Sequence, residues 1–408
     1  MTQVSETESQ TEAEPTGLVW GEVTDETIAD AATMMGVELR RDRQRWVSQA
    51  NYDAIQHFVE GLCDRNPLYR DREYGKNSHY GTLIAPPTFL YAVDTTVIAP
   101  KMPGVQWIYA GVYWTFYDVV KLDEWFHVKA MCERQEEKTG SLAKRWVLQT
   151  GHVWYYRDSD NALVAEAVPQ HARTPRGKAL RRENTNKYAG WKPWEYTADE
   201  VAAIEKHILE TKPRGAEPRY WESVNIGDEL RPVVKGPLTT NDMCAWYAGA
   251  MGVRPYGGAM DDSYHYRTRH DDYIISEHGT KDSPGRGHLQ PNTGQDVGMG
   301  GAYDIGTQRA AWCSILATDW MGDSGFLHKF HATLKRSNML GDTTYWRGKV
   351  VDKRVVEGYH LVELETYAEN QRGWRLCDGG ATVILPSEKH GDVKLPIPRD
   401  LVPEITAP

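Results

Sequence analysis

Two separate stretches of this chain run through the same succession of elements, and that repetition limits its possible folds more than any other feature. In the first stretch, Asn51 precedes an apolar rhythm of Ile55, Phe58 and Val59 that Gly61 closes. An Asn side chain accepts the orphan N–H groups of a helix start, and Gly tolerates the left-handed backbone of a helix end, so a helix is predicted over 52–60. A polar loop leads to Pro86-Pro87 and a helix-compatible run, Thr88-Phe89-Leu90-Tyr91-Ala92-Val93. Proline fits a first turn because that N–H has no helical partner. Segments 107–117, 124–133, 145–156 and 162–168 then turn rich in Val, Tyr, Trp, Phe and Thr and read as antiparallel strands. The second stretch repeats the order: an amphipathic run from Thr239 through Trp246 and Ala250, a helix-like run Gln308 to Leu316, and strand-like segments at 328–337, 343–352, 360–370 and 379–385. Val120-Lys121-Leu122-Asp123-Glu124 aligns with Met339-Leu340-Gly341-Asp342-Thr343 ahead of corresponding strands. The expected class is α+β, with two diverged copies of one layer in which a long central helix is wrapped by a curled antiparallel sheet.

This periodicity divides the 408 residues into an acidic disordered tail at 1–18, a first domain at 19–172, a linker at 173–218, a second domain at 219–390 and a tail at 391–408. Inside the linker, Thr197-Ala198-Asp199-Glu200 has the capping-box pattern, so a helix is expected from about 197 to 211. The Arg- and Lys-bearing part of the linker, 173–187, reads as a solvated connection that could also meet the phosphates of a carrier. The second domain holds a long irregular insert, about 251–297, and such inserts often carry function.

A formal net charge of -10 argues against bulk nucleic-acid binding. Five widely spaced cysteines with no C-x-x-C pair argue against a disulfide framework or a cysteine zinc site. His265 and His270 stand among aspartates, but no spaced set of three or four ligands accompanies them, so no metal is expected. No signal peptide is expected from the polar start, and no run approaches the ~18 apolar residues of a membrane span. These features point to a cytoplasmic protein. No dinucleotide fingerprint opens a helix after a strand, and no phosphate-binding loop or nucleophile elbow occurs.

The segment Gly61-Leu62-Cys63-Asp64-Arg65-Asn66-Pro67-Leu68-Tyr69-Arg70-Asp71 resembles the hydratase motif of MaoC-like enzymes, roughly G-D-x-N-P-[LIV]-H and an acidic residue. Tyr80 to Leu90 resembles the start of that family's central helix, as found in the N-terminal half of fused, FAS1-like dehydratase members. The second half resembles the family through Gly301 to Gly306, Trp320-Met321-Gly322-Asp323, Gly341 to Thr344 and Glu369 to Gly373. The resemblance covers about residues 20 to 390. It implies a tandem (double) hotdog fold and reversible hydration of a 2-enoyl-CoA to a 3-hydroxyacyl-CoA. It further implies no cofactor beyond the CoA of the substrate and a homodimer of fused chains.

The family pattern implies an Asp and a His acting on the acyl thioester. Hydration needs a group that takes a proton from water, one that protonates the α-carbon, and donors for the thioester oxygen. Asp64 stands at the Asp position and Tyr69 at the His position; a phenol can donate but is a poor base at neutral pH. Pro87 stands where the family carries Gly with a free N–H, whereas the second half keeps Gly306 and lacks the Asp–Asn-Pro–His pattern. Two arrangements stay open. In one, Asp64 (base), Tyr69 or a histidine from the second half (acid) and Asn66 act together with Gly306 of the other half. In the other, the site lies wholly in the second half and uses His288, Tyr303, Asp304 and Arg267 from the basic-aromatic run Tyr264 to His270. Plainer roles stand beside these: Asp64 as a turn cap, Tyr69 as packing, His288 as a loop residue, Asp304 as a helix cap, and Gly306 as a point of close backbone approach. Thioester hydrolysis and acyl-CoA binding without turnover are the alternative functions on the same scaffold.

Overall fold

The computed structural model describes residues 21–42, 44–140, 143–175, 188, 190–252, 261–269, 273–276 and 278–401. The expected acidic tail, most of the basic linker segment and His270 lie outside the described residues.

Among the described residues eleven strands run in chain order: β1 Gln106–Phe116, β2 Phe126–Lys138, β3 Trp146–Arg157, β4 Leu163–Thr174, β5 Val233–Lys235, β6 Ile274–Ile275, β7 Lys281–Asp282, β8 Phe326–Leu334, β9 Thr344–Val356, β10 Tyr359–Asn370 and β11 Arg375–Leu385. All but the short β6–β7 pair form one sheet in the order β2-β3-β4-β1-β8-β11-β10-β9-β5. Outward from its centre, β1-β4-β3-β2 on one side mirrors β8-β11-β10-β9 on the other. The two copies join where β1 pairs antiparallel with β8, centred on Tyr113 and His331, whose rings stack at 5.4 Å. This is a tandem hotdog fold.

The duplication shows best in a turn. Ile84 bridges Lys121 in the first half and Tyr303 bridges Met339 in the second. The Lys121 N–H reaches Glu124 and the Met339 N–H reaches Asp342, at 2.9 and 3.2 Å. Asp123 and Gly341 both take positive φ, 69° and 87°. The equivalence therefore pairs Lys121 with Met339 and Glu124 with Asp342, one residue away from the alignment expected from sequence. Turn geometry is what the two copies preserve, and side-chain identity was a poor guide to it.

The central helices differ. In the second half, Gly306–Met321 is a 16-residue helix whose residues from Thr307 to Thr318 are all buried. In the first half the equivalent is a 3-10 turn, Pro87–Phe89, and one helical turn, Leu90–Val93. Asp94 ends it: its buried carboxylate takes both Nε and Nη2 of Arg41, at 2.7 and 2.6 Å, and the Thr96 N–H at 2.8 Å. A carboxylate so committed beside a left-handed Thr96 leaves the helix no continuation.

Both halves pack onto the long helix. Gln308 and Trp312 donate side-chain N–H groups to the carbonyls of Gly61 and Leu62, at 3.4 and 3.2 Å. Helix Tyr52–Leu62 crosses the segment Thr240–Met251 with a glycine on each side. Thr197 and Glu200 cap each other's backbone at the start of helix Ala198–Glu210. Residues 391–401 are packed and do not form a loose tail: Ile397 and Leu401 are buried, the Ile397 N–H bonds the Tyr117 carbonyl at 2.7 Å, and Arg399 pairs with Glu166 at 3.3 Å. Two buried apolar side chains supply the anchor that the segment's polar composition concealed. Among the described residues, no helix is long and apolar enough to cross a membrane.

The helix crossing is testable. A Cβ on Gly61 would lie 2.6 Å from the Ala245 carbonyl oxygen, and one on Gly249 would lie 2.2 Å from that of His57. Gly61→Ala and Gly249→Ala should each cost about 1–3 kcal/mol through overpacking, read as a lower urea midpoint. Unchanged midpoints would show that the two helices do not meet in this way.

Candidate active site

The long helix sets the polarity of two clefts, because its ends open into different ones. At ~1.5 Å per residue it spans roughly 24 Å, with partial positive charge at its start and negative charge at its end. Its N-cap is Ile305, and no side chain caps the first-turn N–H groups. Gly306 is required sterically, since a Cβ there would lie 2.7 Å from the Cβ of Tyr109.

The second-half cleft lies at this start. Trp107 and Tyr109 of β1 form one wall, Tyr247 and Met251 another, and His288 of the insert and Met299 just after it add to them. Tyr303, Asp304, Gly306, Thr307 and Arg309 also line it. His288 ends a 3-10 turn, Pro284–His288, whose start is capped by Ser283. Its Nδ1 lies 3.0 Å from the Tyr303 carbonyl oxygen. A carbonyl only accepts, so Nδ1 carries the proton and Nε2 keeps a lone pair. Burial pushes the imidazole down to about 4, against the pull of the Tyr303 and Asp304 carbonyls. His288 is therefore neutral near pH 7. Tyr303 packs against it with ring centres 4.3 Å apart.

Asp304 is buried and does not cap the helix. It lies 3.2 Å from Nε of Arg309 and accepts the Asn338 N–H at 3.1 Å. Burial lifts its pKa to about 6, while Arg309 and the Asn338 N–H hold it back. Its place in the cleft is to position Arg309 and the 336–338 turn.

The first-half cleft lies at the other end of the helix. Asn66 caps the short helix Pro67–Arg70, with Tyr69 inside it. Tyr69 and Asn66 line the cleft together with Pro87 and, from the second half, Met321, Gly322 and Asp323. Asp64 is buried, accepts the Asn66 N–H at 2.9 Å and does not line the cleft. Burial lifts its carboxyl above the usual range, with the Asn66 N–H and then Lys235 opposing. Burial and then the charge of Asp64 lift Asp319 to about 7, so Asp64 sits beside the last turns of the long helix. From Gly306 to Asp319 the helix rises about 20 Å. The composite of Asp64 and Tyr69 with Gly306 is therefore not formed: the motif packs at the wrong end of the helix. Burial, then Asp64 and Asp323, holds the Tyr69 phenol well above 10, so it is protonated and no base. Pro86 and Pro87 begin the first half's own short helical run, leaving no N–H at the position equivalent to Gly306.

The structure thus gathers His288, Tyr303, Asp304 and Gly306 in one cleft and Asn66 and Tyr69 in the other. Arg267 lines neither; it lies buried in helix Asp261–Arg269, over the ring of Tyr264 at 4.9 Å. Sequence reasoning missed Trp107 and Tyr109, which β1 brings from the first half, and Arg309 and Asn338, whose contacts with the buried Asp304 carboxylate no local pattern shows.

Comparison with known proteins agrees with this architecture. Residues 34–152 match the family described as FAS1-like, dehydratase domain region. A 41-residue stretch is 44% identical to a UPF0336 protein of Streptomyces avermitilis; it spans 10% of this chain and only 27% of that relative's length. A solved MaoC-like dehydratase superposes with a TM-score of 0.58 at 12% identity, covering 88% of this chain and 100% of its own. A MaoC domain protein dehydratase of Chloroflexus aurantiacus gives 0.55 at 10% identity, covering 87% and 96%. At such identities these two likenesses establish the fold.

The lowered His288 pKa has a thermodynamic signature. Between about pH 4 and 6.5 the unfolded chain binds the His288 proton and the folded chain does not, so this contribution to stability is lost as pH falls through that window. His288→Gln should flatten the loss on the order of 1–2 kcal/mol, after allowance for its partial exposure to the cleft. Parallel urea curves for both proteins from pH 4 to 6.5 would show that the imidazole is not buried in its neutral form.

Proposed function

We propose, taking as premise that this is a double-hotdog chain carrying a FAS1-like dehydratase region, that it is a hydro-lyase working at the second-half cleft. Its reaction is the reversible addition of water to a 2-enoyl-CoA. One observation carries this reading: the uncapped start of the long helix and His288, whose Nδ1 is held by the Tyr303 carbonyl, line the same cleft.

In the hydration direction, the thioester oxygen accepts from the Gly306 and Thr307 N–H groups. The positive end of the helix stabilises the enolate charge as it develops there. His288 Nε2 removes a proton from water while the oxygen bonds to the β-carbon. The imidazolium then returns that proton to the α-carbon, closing the balance of one water added. Trp107, Tyr109, Tyr303 and Met251 give the cleft an apolar, aromatic wall against which the acyl group would lie. Asp64, away from this helix start, holds a turn, and Tyr69 belongs to the other cleft.

Hydrolysis of the thioester is the second reading, because a base beside an oxyanion site can also direct water to the carbonyl. The products separate the two: a 3-hydroxyacyl-CoA from hydration, free CoA thiol from hydrolysis.

Mass spectrometry of the protein with aromatic, branched and linear 2-enoyl-CoA esters should show a gain of one water. His288→Ala should lower kcat about 100-fold or more with little change in KM, and Asp64→Asn should stay within about threefold of wild type. Full activity in His288→Ala, or its abolition in folded Asp64→Asn alone, would return the chemistry to the first half. No turnover of any ester by folded protein would favour an acyl-CoA-binding role.

A further inference from the structure

Beside the second-half cleft, where β8 ends and β11 begins, lies an open recess of about 420 Å³. It is lined by Lys335, Arg336, Gly373, Trp374, Arg375 and Asp378. Three of these six residues are cationic and one is anionic, on a chain whose formal net charge is -10. A local excess of one sign, set against the sign of the whole molecule, focuses the field on the recess. The hydratase chemistry uses none of these residues.

The cations are only partly matched by carboxylates. Lys335 and Arg375 both pair with Asp378, at 3.2 and 2.6 Å, and Arg375 also reaches Glu369 at 3.4 Å. One carboxylate of the recess thus serves two cations. Arg336 forms no ion pair with a carboxylate among the described residues. Its guanidinium lies over the Trp374 ring, 4.8 Å from the centroid, and that contact holds it at the recess. A guanidinium held by a ring face keeps its fork of N–H donors for an outside acceptor, and phosphate oxygens fit that fork.

The backbone joins this recess to the cleft. Ser337, the next residue after Arg336, lines the cleft, and the Arg336 carbonyl accepts from Arg309 of the cleft wall. The Ser337 N–H donates to the Tyr188 hydroxyl at 2.6 Å, and the Tyr188 ring lies 6.5 Å from that of Trp374. The Asn338 N–H is held by the Asp304 carboxylate at 3.1 Å. Recess and cleft therefore share one pinned turn, 336–338. A thioester seated at Gly306 would leave its tail free to run past Ser337 toward these cations.

We propose, resting on the acyl-CoA reading above, that this recess binds the phosphates of the CoA moiety, with Arg336 and Lys335 as the donors that select CoA over a carrier protein. CoA bears a 3′-phosphate and a 5′-diphosphate on one adenosine. That compact cluster of negative charge matches three cations around one hollow. A carrier-bound arm brings a single phosphodiester, which would leave the other cations unmatched.

Calorimetric titration of the full chain with adenosine 3′,5′-bisphosphate tests the recess without any turnover. Arg336→Gln, which keeps the carbonyl held by Arg309, should weaken binding about tenfold, and Lys335→Gln several-fold. Arg347→Gln, which removes one exposed charge from β9, should bind as wild type does. With a 2-enoyl-CoA as substrate, Arg336→Gln should raise KM about tenfold and leave kcat alone. The matching pantetheine thioester, which lacks the nucleotide, should have the same KM in both proteins. Absence of turnover in a chain that still binds the bisphosphate through Arg336 would sink the hydratase reading and leave the recess standing. Four results would overturn the proposal: no bisphosphate binding at millimolar concentration, an equal loss in Arg347→Gln, unchanged binding in both folded recess variants, or binding of an acyl-carrier protein that is tighter than that of CoA and that the same variants abolish.

Discussion

Burial of the helix Gly306–Met321 on nearly every side is the constraint on which the rest of the molecule depends. A helix enclosed this way needs a sheet to wrap it and a second layer to close the far side. The nine-stranded sheet supplies the first, and helix Tyr52–Leu62 supplies part of the second through its buried terminal carbonyls. Once the helix is fixed, its dipole is fixed with it. One end attracts developing negative charge and the other repels it. The two clefts are therefore unlike in chemistry before any side chain is considered.

The two copies have diverged in a way that follows this asymmetry. The first half spends its central segment on Pro86, Pro87 and the Arg41–Asp94 pair, which shorten the helix and remove its donors. It keeps the Asn66-Pro67 turn, and that turn serves the local fold through the Asp64 and Asn66 side chains. The second half keeps the long helix and the glycine at its start. It has replaced the motif with an insert that delivers His288 from another direction, held by the Tyr303 carbonyl. The uncapped helix start and the motif have thus separated between the copies.

Cross-copy contacts then bind the halves into one unit. Trp107 and Tyr109 come from the first half but form a wall of the second-half cleft, while Met321 and Asp323 do the reverse. Arg372 lies near Trp191, Trp194 and Trp374, at 5.8, 5.1 and 5.5 Å, and fastens the connecting segment to the second half. The packed segment 391–401 returns to β1 and β4 at Tyr117 and Glu166. Neither cleft is complete within one copy.

Several features were legible in the residues themselves. Asn51 and Gly61 mark the first helix, the Val/Tyr/Trp-rich runs mark the strands, and the repeated order marks the duplication, because caps and periodicity are local properties. Gly306 was readable as a candidate helix start for the same reason. Its pairing with Asp64 was not, since separation along a buried helix is a distance that no local pattern encodes. The end of the first central helix depended on Arg41, 53 residues from Asp94, and so could not be read from the apolar run it interrupts. The sequence by itself determined which elements form and that they occur twice. Only the tertiary structure decided which end of the long helix each candidate residue meets, because β1–β8 pairing and helix crossing place residues by long-range packing and not by their neighbours in the chain.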